Sequence, residues 1–105
     1  MPNTLYLEIG SQFETAYGTA MSQLFGKPCL KTNGKAFAAF FQDQMVFKLG
    51  KEQLAEYQLI YTGSINWDPS GKKRRMKGWL QVPYDYKDDW EQLALEAKSF
   101  VETTS

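Results

Sequence analysis

The residues best suited to chemistry in this chain are cations. Lys72-Lys73-Arg74-Arg75, with Lys77 beyond, form a run flanked by Trp67 and Trp79. Such a run could neutralise phosphates and release their counterions, while the two indoles stacked on bases. The alternative is a solvated turn that keeps one end of a sheet soluble. Formal net charge is zero, which weighs against nucleic acid, since a small binding domain is usually basic overall. Lys35 and Lys48 fall on strands of an expected meander, beside Trp79. They could hold a small anion, or their stems could simply cover aromatic surface.

Other groups offer less. Cys29 has Lys27 and Lys31 nearby, but a reactive thiolate needs a stronger electropositive setting, so a structural cysteine is expected. Asp88 and Asp89, or Glu52 and Glu56, could do acid–base work; helix capping and solvation explain them better. Glycines are dispersed, with no phosphate-cradling loop. The chain has no histidine. That removes the commonest general base and metal ligand and excludes Ser-His-Asp and Cys-His arrangements. One cysteine without histidine cannot supply a zinc site from N and S ligands. No catalytic residue, metal ligand or cofactor is assigned, and an enzyme is not expected.

These residues must be positioned by a single domain, the size class of 105 residues. The 43% hydrophobic and 15% aromatic content is well outside the disordered class and predicts a core built on rings. A lone cysteine rules out an internal disulfide and suits the cytoplasm. Neither a secretory leader nor a membrane-length apolar run is visible, so no membrane partner is expected. Charge is uneven: residues 27–77 hold ten of the twelve Lys/Arg and four of the twelve acids, a net +6, balanced by −6 elsewhere. Acidic helices beside a basic sheet would satisfy that pattern.

Tyr6, Ile9, Phe13 and Ala16 share one helical face, predicting a helix over about Asn3 to Ala16, with a break near Gly10 as an alternative. Residues 20–25 and 28–32 read as short strands. Asn33-Gly34 is a two-residue hairpin turn, because both residues tolerate positive φ; Lys35–Phe41 and Met45–Leu49 follow as strands. A short helix over Lys51–Gln58 and a strand over Thr62–Trp67 come next. Asp68-Pro69-Ser70-Gly71 is a turn, Met76–Val82 is the last strand, and Pro83 ends it. Trp90, Leu93, Ala94, Ala97, Phe100 and Val101 line one face of a closing helix. The expectation is an α+β fold of two layers, an antiparallel sheet of about five to six strands with N-terminal and C-terminal helices. Ala36 to Phe41 is apolar on both faces, where a sheet covered on one side should alternate. That predicts a second cover, from a helix or a second subunit, and makes Phe37, Phe40, Phe41 and Trp79 candidates for a homodimer interface.

The chain resembles the TfoX (Sxy) N-terminal-domain family of bacterial proteins. The resemblance rests on Met21, Leu24-Phe25-Gly26, Pro28-Cys29-Leu30, Asn33-Gly34-Lys35, Phe37-Ala38, Lys48-Leu49, Trp67-Asp68-Pro69-Ser70-Gly71, Met76-Lys77, Trp79 and Ala97. It implies a small α+β fold like that of secretion chaperones, and no catalytic residues. Family members include competence regulators that act with a second, C-terminal domain, which residues 1–105 do not include. Lys72-Lys73-Arg74-Arg75 is more basic than the family pattern, and Tyr84 to Lys87 is an aromatic, charged insertion. The expected function is a non-enzymatic regulatory or interaction module working through protein–protein contact, with unknown partner. The alternative is a nucleic-acid-binding accessory using the basic hairpin at 72–77.

Overall fold

The computed structural model describes residues 2–70, 72 and 76–104. Helix α1 (Pro2–Tyr17) leads into four strands joined by tight turns: β1 (Ala20–Leu24), β2 (Lys27–Thr32), β3 (Lys35–Phe41) and β4 (Gln44–Lys48). Helix α2 (Lys51–Ile60), the short strand β5 (Ile65–Asn66) and strand β6 (Trp79–Val82) follow. A 3-10 turn over Tyr84–Asp89 then delivers the chain into α3 (Trp90–Thr104). The strands form one antiparallel sheet in the order β1-β2-β3-β4-β6-β5. The expected α+β architecture is what the chain adopts.

All three hairpins use two-residue turns with positive φ at both positions: Phe25-Gly26, Asn33-Gly34 and Gln42-Asp43. This left-handed geometry matches the natural strand twist. Only Asn33-Gly34 uses the residues that adopt it most readily.

The three helices cover one face. Tyr6, Ile9 and Phe13 of α1, Leu93, Ala94, Ala97 and Val101 of α3, and Phe37, Phe47, Leu49, Leu80 and Val82 of the sheet form the main core. Helix α1 is unbroken. A Cβ on Gly10 would stand 3.0 Å from Met21 Cε and 3.1 Å from Leu30 Cδ2, so this glycine lets the helix approach the sheet closely rather than ending it.

Strand β3 contains an irregularity that periodicity does not show. Leu30 pairs with Ala38 and Lys31 with Ala36, which leaves Phe37 without a partner on β2. This bulge puts Phe37 and Ala38 both into the main core, while Ala36, Ala39 and Phe41 face the other side.

Candidate interaction face

The other side of the sheet has its own cover, which is neither a helix nor a second subunit. Directly after β5, Trp67 lays its indole on this face beside Trp79. Cys29, Ala39, Val46, Trp67 and Trp79 form a second core, with Leu24, Ala36, Phe41 and Met76 packed around it. Backbone bonds pin the segment: Trp67 N–H donates to the Trp79 carbonyl at 3.0 Å, and Met76 N–H to the Trp67 carbonyl at 2.8 Å. Asp68 Oδ1 accepts from Ser70 N–H at 3.2 Å and from Ser70 Oγ–H at 2.8 Å, the side-chain turn expected of Asp-Pro-Ser.

Four of the sequence candidates change meaning here. Phe37 is 0% exposed and Trp79 5%, so neither offers a surface to a partner subunit. Phe40 stacks on Tyr6 under α1 with ring centroids 5.2 Å apart. Phe41 meets Trp67 edge-on at 5.9 Å. The apolar second face of β3 is thus satisfied within the chain and gives no ground for a dimer. Trp67 is wholly buried and, like Trp79, cannot stack on a base.

The rings line up as Phe41, Trp67 and Trp79, the two indoles 5.3 Å apart. A lysine closes each end: Lys27 Nζ lies 5.4 Å from the Phe41 centroid and Lys48 Nζ 5.9 Å from that of Trp79. Cations over ring faces gain from the ring quadrupole. Lys48 Nζ also donates to the Lys77 carbonyl at 3.2 Å, so the structure brings Lys48, Lys77 and Trp79 together. Lys35 is not with them. It pairs with Thr32, whose hydroxyl donates to Glu102 of α3 at 2.7 Å, and so it stands on the helix side of the sheet. Cross-strand partners share a face, and Lys48 pairs with Trp79 on the opposite one. Lys72 follows Ser70, its N–H donating to Ser70 Oγ at 3.1 Å. Lys73, Arg74 and Arg75 lie outside the described residues.

Lys31 joins this face through its pairing with Ala36. Burial pushes the Cys29 thiol up from its ordinary value, and Lys31 only partly opposes that. The thiol stays protonated, as a structural cysteine should. Lys27, Lys31, Lys48, Lys72 and Lys77 therefore lie on or beside one face. Glu8, Glu14, Glu91, Glu96 and Glu102 belong to α1 and α3 on the other. Lys35 and Lys98 stand on the helix side and Asp68 on the loop, so the segregation of charge between the faces is partial.

No family model matches this chain. Nor does any curated protein match it.

Sequence reasoning missed Phe25. It sits at the first position of the β1–β2 turn with φ 54° and is 64% exposed. A left-handed conformation costs a bulky residue about 1–2 kcal/mol relative to the ordinary helical one. The sequence pattern places Phe25 at the end of a strand over 20–25; β1 instead ends at Leu24 and Phe25-Gly26 is the turn, for which Gly26 was the available signal. Phe25, Pro69, Ser70 and Met76 line a cavity of about 380 Å³. A more polar cleft of about 430 Å³ lies between α1 and the start of α3, lined in part by Glu8, Lys87, Asp88 and Glu91. Among the described residues no group of three or more His, Cys, Asp or Glu is placed to hold a metal ion. No described helix is long and apolar enough to cross a membrane.

Proposed function

We propose that this chain is a non-enzymatic cytoplasmic interaction module, similar to the TfoX N-terminal domain, that works by protein–protein contact. The observation that carries the reading is the face built by the Trp67–Trp79 segment. Five described lysines lie on or beside it, together with the exposed ring of Phe25 and a partly exposed Met76, on the side of the sheet opposite α1 and α3. A surface that joins a small apolar centre to a charged rim has the anatomy of a protein contact, and its sign selects acidic partners. The nucleic-acid reading keeps one specific support, the concentration of five described lysines on that face. It has lost its stacking platform, since Trp67 and Trp79 are buried.

One experiment separates the two. Immobilised wild-type protein and a Lys31→Glu/Lys72→Glu/Lys77→Glu variant are used to capture partners from lysate, with and without nuclease. The proposal expects proteins retained by the wild type, lost with the variant and indifferent to nuclease. Retention that disappears on nuclease treatment turns the face into a nucleic-acid site. Identical captures by both proteins refute a role for this face.

A further inference from the structure

Phe25 is the wrong residue for its turn. Position one of a two-residue primed turn favours Asn, Asp or Gly, because φ is positive there. Asn33 fills the same position in the next hairpin, at φ 53°. Phe25 holds φ 54° with most of its ring in solvent, so burial does not repay the strain. Strained, exposed aromatic residues call for a functional account.

The surroundings specify the ligand. The open cavity beside Phe25 is walled by Pro69, Ser70 and Met76, a mainly apolar lining with room for a large apolar side chain. Methionine adapts to differently shaped guests. Lys27 and Lys72 follow the two turns that form the walls, each two residues beyond a lining residue. A row of stacked bases would need successive exposed rings, and Phe25 stands alone.

We infer that the Phe25 turn and the Asp68–Ser70 turn together form a docking site for a short acidic peptide segment carrying one large apolar side chain. That side chain enters the cavity against Phe25 and Met76, and flanking carboxylates face Lys27 and Lys72. This inference rests on the protein-contact reading and names the chemistry of its partner.

The test is fluorescence anisotropy with three labelled probes: a Glu-rich peptide with a central Phe, the same peptide with Gly in its place, and single-stranded oligo(dT). The Phe peptide should bind about tenfold tighter than the Gly peptide, the size of a single anchoring side chain. Phe25→Asn should abolish that preference while the urea midpoint holds or rises. Phe25→Tyr should retain it. Lys72→Glu should weaken both peptides. Equal binding of the two peptides, or an undiminished preference in Phe25→Asn, overturns the site. If both peptides still respond to Lys72→Glu in that case, the basic-face reading survives alone. Oligo(dT) binding tighter than the Phe peptide, and lost in Phe25→Asn, reassigns the turn to nucleic acid and overturns both. A fall in the urea midpoint of Phe25→Asn would make the ring structural, and also overturns the inference.

Discussion

Gly78 and Phe25 share a backbone conformation but differ in what they do with it. Gly78 has φ +83°, and a Cβ there would stand 2.8 Å from Lys48 Nζ. The lysine tip can move aside, so the backbone term decides the outcome. The site cannot relax easily, because Leu49 N–H donates to the Gly78 carbonyl at 2.8 Å. Gly78→Ala is therefore expected to destabilise the fold by about 1–2 kcal/mol in urea unfolding. An unchanged midpoint would mean that the turn rearranges freely. Phe25→Asn should move stability the other way, and this opposition distinguishes a glycine required by geometry from an aromatic retained despite it. Glu102 shows a milder coupling. The hydrogen bond from Thr32, then that from Lys98, holds its carboxyl below the ordinary value, and the Lys98 pair is 2.9 Å long.

Of the three α-helices, α2 is held most lightly. None of its residues is fully buried. Its inward side meets the body through hydrogen bonds: Tyr57 O–H donates to Glu96 at 2.6 Å and Gln53 Nε2–H to the same carboxylate oxygen at 2.9 Å. Leu54, Tyr57 and Tyr61 also pack against the main core. The Glu96 bond, then burial, pushes the Tyr57 phenol up to about 12. Burial, then the nearby Asp89 carboxylate, pushes Tyr61 up to about 12. Raised folded-state values mean that this stability is fully present below the unfolded phenol value of about 10 and is lost as pH rises through about 12. Tyr57 and Tyr61 should thus titrate late by tyrosinate absorbance, with stability declining across that window, and the buried Tyr6 phenol, also pushed up by desolvation, later still. Tyr57→Phe should remove one late phenol and speed hydrogen exchange in α2 more than in α3. Late titration lost without any change in exchange would show that the bond does not anchor the helix.

Elements with strong local rules were legible. Asn33-Gly34 dictated its turn, and the spacing from Trp90 to Val101 dictated α3. Weaker rules failed where tertiary contacts decide. The predicted strand over Thr62–Trp67 shrinks to Ile65–Asn66, although Trp67 keeps a backbone bond to Trp79 while its indole roofs the sheet. The strand expected from Met76 begins only at Trp79, since Met76 belongs to the same roof. The bulge at Phe37 was invisible because Phe and Ala suit either face.

At the scale of the molecule, a roof made of loop explains both the apolar second face of β3 and the position of the cations. A helix there would have hidden the sheet behind a regular surface. A loop instead leaves a cavity, two turns and a fringe of lysines, and it carries the basic run in its own sequence. The candidate site was legible as charge but not as shape, because Phe25, Lys27 and Lys31 come from strands remote in sequence from residues 72–77. Mapping by amide chemical shifts tests this view most directly. The labelled protein is titrated with the Phe-containing acidic peptide. The account predicts shifts concentrated at Leu24–Lys27, Asp68–Ser70 and Met76–Trp79, with α1 and α3 unmoved. Shifts confined to the cleft between α1 and α3, or none at saturating peptide, would contradict it.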